Sequence, residues 1–281
     1  MLVATTMLKQ RIVTSVILAA LVLSALALIP APVLSTLAVL AIMVAGWEWS
    51  SLAKINSGRA RAGYVLSLLA LLLVANYQLD VYGDFDRQLS YQICLFALVL
   101  WAICLLWIQG YPSSTILWGR PLVIACIGLV FLLATWVALT AIILAENGKW
   151  LLLLAIIVVV LGDVGGFFAG KLFGRHKLAP IISPGKTWEG FVGGLILQLA
   201  VILGLKLYLP AVAIADLIIL IIPVALLSVA GDLFESMLKR HSGVKDSGSL
   251  LPGHGGVLDR LDGIMPAFPM FWVLLSQGSI F

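Results

Sequence analysis

The chain has 281 residues, of which 62% are hydrophobic and only 11% are charged, and its formal net charge is +4. A soluble domain carries roughly 25% charged residues, so this composition excludes an ordinary water-soluble fold. Apolar runs such as residues 150–162 lack the period-two alternation of membrane barrel strands. The chain is therefore predicted to cross a membrane several times as helices, which satisfy their own backbone polar groups in lipid.

Nine apolar runs come close to the about 20 residues that a membrane-spanning helix needs. They cover residues 12–29, 33–53, 63–79, 90–108, 121–145, 149–169, 190–209, 213–234 and 264–280. The first run follows two basic residues like a signal peptide, but it is long and more spans follow, which favours an uncleaved helix. We predict an all-α, polytopic integral membrane protein with about nine transmembrane helices.

The runs divide the chain into two predicted regions. Residues 1–148 hold about five spans, and residues 149–281 hold the remaining spans together with two long loops, at 170–189 and 235–263. With the N-terminus placed in the cytoplasm, the inner segments contain all of the 17 Lys and Arg except Arg87, Lys149 and Lys206. This asymmetry agrees with the positive-inside rule for nine spans. Scattered basic residues need no further explanation, because anionic headgroups also attract them, but the two loops do.

Four aspartates are expected to meet at the inner membrane level, because each lies at the inner end of a span. They are Asp163, Asp232, Asp259 and Asp262. A carboxylate placed in a membrane costs about 3 kcal/mol, and four at one depth repel one another unless cations intervene. The i, i+3 spacing of Asp259 and Asp262 places both on one face if the segment is helical. Oxygen ligands of this kind favour a hard cation such as Mg²⁺.

A simpler interpretation of these aspartates is structural. Asp232 and Asp259 could pair with Arg240 or Arg260 as ion pairs that stabilise the fold. This alternative accounts for one pair of charges more easily than for four aspartates at one depth.

The first loop has the residue types that bind an anion at the start of a helix. The turn around Pro184 places Lys186 and Thr187 directly before the next apolar run, and free N–H groups at a helix N-terminus attract anions. The loop lacks the first glycine of the phosphate-binding loop of nucleotide hydrolases, since Pro180 stands there.

The second loop reads KRHSGVKDSGSLLPGHGG from residue 239 to residue 256. Its glycines allow backbone amides to approach phosphate oxygens, and Lys239, Arg240 and Lys245 add positive charge. For His254, a structural hydrogen bond or an anion contact is expected rather than a role as a base. Carboxylates, cations and exposed amides together indicate metal-assisted phosphoryl or nucleotidyl transfer.

The motifs SMLKR, KDSG, LPGHGG and LDRLD, between Ser236 and Asp262, resemble the signature of the phosphatidate cytidylyltransferases. Residues 172–190 and 231–240 resemble that family too, whereas the first five spans are similar only in hydropathy and length. After Asp163 the family usually has a hydroxyl residue and then a tyrosine, where this chain has Val164 and Phe167.

The resemblance implies a reaction in which CTP and phosphatidic acid give CDP-diacylglycerol and pyrophosphate for phospholipid biosynthesis. It also implies Mg²⁺, in some relatives a second cation such as K⁺, and an active site that faces the cytoplasm from a bacterial inner membrane. Membrane lipids and a second copy of the chain, in a homodimer, are the expected partners, and nucleic acid is not.

Roles follow for individual residues. The expected metal ligands are Asp163, Asp232, Asp259 and Asp262. The expected catalytic residues are Asp232, Asp259, Asp262, Lys245 and Asp246, the last of which would orient Lys245. The expected substrate-binding residues are Ser183, Lys186, Thr187, Lys239, Arg240, His254 and Arg260.

Three alternative functions compete with this interpretation. An ion-coupled secondary transporter also uses buried aspartates, but transporter sites lie near the bilayer midplane, whereas these aspartates lie at inner helix ends. Another lipid phosphotransferase or nucleotidyltransferase is the second alternative, although the aspartate pattern of CDP-alcohol transferases is absent from the sequence. A catalytically silent relative is the third, because of Val164 and Phe167.

Overall fold

The protein is described by a computed structural model, which covers residues 2–251, 253 and 255–277, with side chains described from residue 13 onward. Helices dominate these residues. In chain order they are α1 (Leu2–Leu28), α2 (Ala31–Leu52), α3 (Gly58–Gln78), α4 (Arg87–Gln109), α5 (Thr115–Trp118), α6 (Pro121–Leu144), α7 (Gly148–Phe173), α8 (Trp188–Tyr208), α9 (Ile214–Ser242), α10 (Leu258–Leu261) and α11 (Ile264–Gln277). Two short strands, β1 (Lys177–Ala179) and β2 (Ser183–Thr187), precede α8.

Each predicted apolar run coincides with a helix, which confirms the all-α, polytopic membrane fold. Within the described part of the chain, seven helices are long and apolar enough to cross a membrane: α2, α3, α4, α6, α7, α8 and α9. The part of α1 whose side chains are described, Val13–Leu28, is apolar but shorter than these seven helices, and α11 has only 14 residues. The predicted count of nine spans is therefore not confirmed.

Local capping explains where several of these helices begin. The side chain of Ser57 accepts a hydrogen bond from the Ala60 amide, and Asp86 accepts one from the Leu89 amide. Helices α2 and α6 each carry proline in their first turn, where its missing N–H has no helical partner in any case. The turn residues between the apolar runs therefore set the helix boundaries.

An aromatic cluster joins the N-terminal helices to α9. The rings of Trp101 (α4) and Phe131 (α6) stack with centroids 4.1 Å apart, and Phe234 (α9) meets Trp101 edge-on at 5.3 Å. Trp49 (α2) lies 6.5 Å from Phe234 and donates a hydrogen bond of 2.8 Å to the Ile124 carbonyl. Such aromatic pairs are worth about 1 kcal/mol each beyond their buried area. These contacts fix the position of α9 relative to α2.

Helices α7 and α8 pack with their backbones nearly in contact. A Cβ atom on Gly165 would lie 2.6 Å from the Gly193 carbonyl oxygen, and one on Gly194 would lie 2.7 Å from the Gly162 carbonyl oxygen. Small residues at such crossings are the usual means of close packing in membranes, where lipid offers no hydrophobic drive between helices. The contact fixes the C-terminal half of α7 against the first turns of α8.

The first predicted loop folds into a β-hairpin, which the sequence did not indicate. Strands β1 and β2 are antiparallel, with Lys177 opposite Thr187 and Ala179 opposite Ser183. Thr187 then accepts a hydrogen bond from the Gly190 amide as the N-cap of α8. The expected helix start after Thr187 is confirmed. The division of the chain at residue 148 stays a prediction, because α11 packs against both α9 and the earlier helices α4 and α6.

Candidate active site

A cavity of about 550 Å³ lies between α7, α8, α9 and the β-hairpin. Its polar lining includes Asp163, Ser183, Lys186, Thr187, Gln198 and Asp232. Its apolar lining includes Phe167, Phe191, Leu195, Ala225 and Val229. A charged wall beside an apolar wall suits an amphipathic molecule with an anionic head.

Lys186 and Asp232 form the ion pair of this cavity. The Lys186 ammonium nitrogen lies 2.6 Å from a carboxylate oxygen of Asp232, with side-chain exposures of 23% and 31%. Asp163 interacts electrostatically with both of these residues and with Arg260. Because both members of the ion pair remain accessible, an anionic ligand can compete with Asp232 for the ammonium group.

Lys239 connects two further carboxylates at the end of α9. Its ammonium nitrogen lies 2.5 Å from an oxygen of Glu235 and 2.8 Å from an oxygen of Asp259. The Glu235 side chain is 0% exposed, and its other oxygen has no hydrogen-bond partner. Buried charges of this kind are tolerated only when they are paired, and Lys239 is the cation that lies against both carboxylates.

Asp259 joins the second loop to α9. Its carboxylate accepts hydrogen bonds from the backbone amides of Ser247 (3.1 Å) and Gly256 (2.7 Å) as well as from Lys239. Burial opposes ionisation, but Lys239 and these amides together hold the pKa of Asp259 below its usual value. Asp259 is therefore an anion at neutral pH.

Asp262 lies beyond the short helix α10, among other carboxylates. The Gly263 amide donates a hydrogen bond of 2.7 Å to it. Burial, with the nearby charges of Asp232 and Glu235, raises the pKa of Asp262 well above its usual value. An added cation would favour the ionised form of such a carboxyl group.

Two arginines flank the site. The Arg240 side chain donates a hydrogen bond of 3.1 Å from Nε to the Ile182 carbonyl, which ties the end of α9 to the hairpin. Arg260 is exposed and attracts Asp163 electrostatically. The aspartates that the sequence allowed to pair with these arginines pair closely with lysines instead.

Two further candidates, Lys245 and Asp246, lie exposed on the second loop. No hydrogen bond or ion pair joins either side chain to another residue in the described ranges, so both are accessible to a ligand. His254 lies outside the described residues.

The donor chemistry around the cavity fits a magnesium ion. Asp163 and Asp232 present only oxygen to the cavity, and Mg²⁺ commonly binds one or two carboxylates together with water and substrate phosphates. Over the residues that the structure describes, no group of three or more His, Cys, Asp or Glu side chains is placed to hold a metal ion. The oxygens of Asp259 are engaged by Lys239 and backbone amides. The four expected metal ligands stay a prediction.

Known proteins align with this sequence over almost its whole length. The cytidylyltransferase family matches residues 9–277. A phosphatidate cytidylyltransferase of Pseudomonas aeruginosa is 39% identical over 276 residues, which cover 96% of this chain and 97% of that protein. This chain belongs to the cytidylyltransferase family. A phosphatidate cytidylyltransferase of Haemophilus influenzae is 37% identical over 94% of this chain and 97% of its own length. One from Staphylococcus saprophyticus is 49% identical over 47% of this chain and 51% of its own length.

Val164 and Phe167, where this cytidylyltransferase departs from its family pattern, lie differently relative to the cavity. Val164 is 38% exposed and lies outside the described lining of the cavity. Phe167 is part of that lining, so it gives the cavity an apolar surface where the family usually has tyrosine.

The site of this cytidylyltransferase also contains a carboxylate that the motifs did not indicate. Glu48 on α2 is only 3% exposed, and its carboxylate accepts a hydrogen bond of 2.7 Å from the Leu258 amide, beside Asp259. One signal was available, because an ionisable residue inside an apolar run indicates a functional site by default. The second loop therefore depends on a residue from the N-terminal region.

Proposed function

We propose that this member of the cytidylyltransferase family is a CTP:phosphatidate cytidylyltransferase, which makes CDP-diacylglycerol and pyrophosphate. The observation that carries the proposal is the cavity in which Lys186 and Asp232 lie beside an apolar wall. A diacyl lipid with a phosphate head matches both surfaces. The names of the two relatives that match nearly the whole chain support the same substrates, and nothing observed favours an ion-coupled transporter.

The reaction needs charge neutralisation more than proton transfer. A phosphate oxygen of phosphatidate forms a bond to the α-phosphorus of CTP, while the bond from that phosphorus to the bridging oxygen breaks and pyrophosphate leaves. The nucleophile is already ionised near pH 7, so no strong general base is required. Both reactants are anions, and preorganised cations stabilise the charge that shifts between them.

The residues of the chain divide this work. Lys186 holds the lipid phosphate in the cavity, with Ser183 and Thr187 on the same wall. Arg240, Arg260 and Lys245, with His254, hold the triphosphate and the departing pyrophosphate. Asp246 does not pair with Lys245 in the part of the chain that the structure describes, and its proposed role is to orient Lys245 in the substrate complex. Lys239 keeps Asp259 ionised and in place.

Asp163, Asp232, Asp259 and Asp262 would hold Mg²⁺ in this proposal, and a second cation such as K⁺ is an added expectation. The divalent ion would screen the repulsion between the triphosphate and the lipid phosphate. The oxygen-only donor set and the mutual repulsion of Asp163, Asp232 and Asp262 support that assignment.

The remaining proposals concern location and assembly. The distribution of Lys and Arg along the sequence supports an inner-membrane protein of bacteria whose N-terminus and active site face the cytoplasm. We expect a homodimer, which size measurement in detergent would test.

A labelling experiment tests the proposed reaction. Purified protein in detergent receives phosphatidate, Mg²⁺ and CTP that carries radioactive phosphorus at either the α or the γ position. The α label is expected in the lipid and the γ label in pyrophosphate, and EDTA is expected to stop both. Transfer of the γ label to lipid would instead show a lipid kinase, and absence of transfer in both experiments would contradict the proposal.

Replacing Lys186 with alanine is expected to raise the apparent KM for phosphatidate or CTP about tenfold. The variant loses a cation that the cavity offers to an anion, and tenfold corresponds to about 1.4 kcal/mol. Initial rates over a range of each substrate measure the effect. The matched control is Lys177→Ala, which removes an exposed lysine from the same hairpin. Unchanged concentration dependence for both substrates would exclude the assigned role.

A further inference from the structure

Glu48 contacts the second loop at two points from the opposite half of the chain. One carboxylate oxygen, Oε2, accepts a hydrogen bond from the Leu258 amide at 2.7 Å and one from the Ser247 hydroxyl at 3.5 Å. These contacts span 210 and 199 positions in the sequence. A buried side chain of α2 therefore caps the start of α10, which carries Asp259.

Two glycines of the loop leave room for this carboxylate. A Cβ atom on Gly248 would lie 2.1 Å from Oε1 of Glu48, and a Cβ atom on Gly256 would lie 2.4 Å from Oε2. Real Cβ atoms do not approach so closely, so any larger residue would displace either the loop or Glu48. The loop is folded tightly over the carboxylate at both positions.

Asp259 holds the same loop segments from the other side. Ser247 donates its amide to Asp259 and its hydroxyl to Glu48. At the far end, the Gly256 amide bonds to Asp259 and the Leu258 amide bonds to Glu48. Two carboxylates thus close the loop as a clamp, which we define as Glu48 and Asp259 with the amides of Ser247, Gly256 and Leu258.

The neighbourhood of Glu48 is fixed by the scaffold of the N-terminal helices. Trp49 donates a hydrogen bond to the Ile124 carbonyl, and Arg61 donates one of 2.8 Å to the Trp47 carbonyl. The second oxygen of Glu48, Oε1, is buried without a hydrogen-bond partner. A buried oxygen without a hydrogen-bond partner opposes folding, so packing alone gives no reason for a carboxylate here.

We propose that Glu48 is a positioning residue of the active site, which fixes the second loop so that Asp259 meets Lys239 and Asp262 lies beside Asp232. The expected effect of Glu48 on the reaction rate rests on the proposed cytidylyl transfer. Its expected effect on the position of the loop does not. It gives the N-terminal region a part in the site. No contact between Glu48 and substrate is required.

Hydrogen exchange of the substrate-free protein tests the clamp without reference to activity. In Glu48→Ala, the amides of residues 247–258 are expected to exchange at least tenfold faster, while α7 and the outer half of α9 stay unchanged. In Glu48→Gln, the side-chain oxygen still accepts from the Leu258 amide, so exchange is expected to stay within threefold of wild type. The matched control is Ser50→Ala, a buried polar residue two positions along α2 whose hydroxyl bonds to Trp47 and Arg61.

Kinetics give the second measurement. Glu48→Ala is expected to lose about 100-fold in kcat, and Glu48→Gln less than tenfold. A purely structural role would instead raise exchange across all helices and lower the yield of folded protein for both variants alike. That outcome, or unchanged loop exchange in Glu48→Ala, overturns the proposal.

Gly256→Ala keeps the test decisive if Glu48→Ala folds poorly, because it displaces the loop from the carboxylate without changing α2. Gly256→Ala alone is expected to lose about 100-fold in activity, because its Cβ meets the Glu48 carboxylate. A double-mutant cycle adds a further measurement, because in the Glu48→Ala background the same change is expected to cost less than threefold, since the obstructing carboxylate is gone. Additive losses would overturn the proposal. If wild-type protein makes no CDP-diacylglycerol, the proposed function fails, while the exchange result still decides the clamp.

Discussion

Replacing Asp259 with asparagine is expected to lower the rate of CDP-diacylglycerol formation at least about 100-fold, which corresponds to about 2.7 kcal/mol. Every neighbour that bonds to this carboxylate is a donor, namely the Lys239 ammonium and the amides of Ser247 and Gly256. Asparagine turns one acceptor atom into an NH₂ group that faces these donors. The loop end loses an acceptor, and Lys239 loses one of its two carboxylate partners and keeps only Glu235.

The measurement is turnover by the purified variant, together with its recovery from the membrane and its size in detergent. The protein is expected to remain membrane-bound and folded, because most of its helix packing does not involve the loop. The matched control is Asp216→Asn, which changes a carboxylate in the first turn of α9, at the opposite end of the helix. Turnover at the wild-type rate by Asp259→Asn would contradict both the anchoring role and the proposed metal ligation. Partial recovery at raised Mg²⁺ would favour ligation over anchoring.

The fold was predictable where the signal is local. Uninterrupted apolar runs gave each long helix, and the turn before Trp188 gave the start of α8. The gathering of Asp163, Asp232 and Asp262 was predictable too, because span counting placed their helix ends on one side. Spans shorter than a bilayer's thickness are where counting fails, as for the 14 residues of α11.

The partners of the carboxylates were not predictable from the sequence. Arg240 was a reasonable candidate for Asp232 by proximity in the chain, but its side chain reaches the Ile182 carbonyl. Asp232 pairs instead with Lys186 of the hairpin, and Asp259 pairs with Lys239 of α9. Which cation reaches which anion depends on the packing of the hairpin against α9, and no local pattern encodes that distance.

Glu48 shows the same limit over a longer separation. Its place in an apolar run marks α2 as a membrane span, but its contact with Leu258 depends on how α2, α6 and α9 pack. The glycines at 248 and 256 were interpreted as places where a phosphate approaches the backbone. In the structure both of them also accommodate the Glu48 carboxylate.

Replacing Lys239 with methionine is expected to destabilise the protein by about 3–5 kcal/mol, the usual cost of removing one partner of a buried ion pair. Methionine keeps the length of the side chain but leaves Glu235, which is fully buried, and Asp259 without their cation. One of these carboxyl groups must then take up a proton or draw in water. Thermal unfolding in detergent is expected to begin roughly 10 °C lower.

Two comparisons separate this effect from a general loss of a lysine. The control Lys206→Met removes a lysine that donates to the Pro210 and Val212 carbonyls near the end of α8, and it is expected to cost less than about 1 kcal/mol. Adding Glu235→Gln to Lys239→Met is expected to restore part of the lost stability, because it removes the carboxylate with no other strong donor. If Lys239→Met unfolds at the wild-type temperature, the three charges are not coupled as their distances indicate. The lysine would then be available to substrate alone.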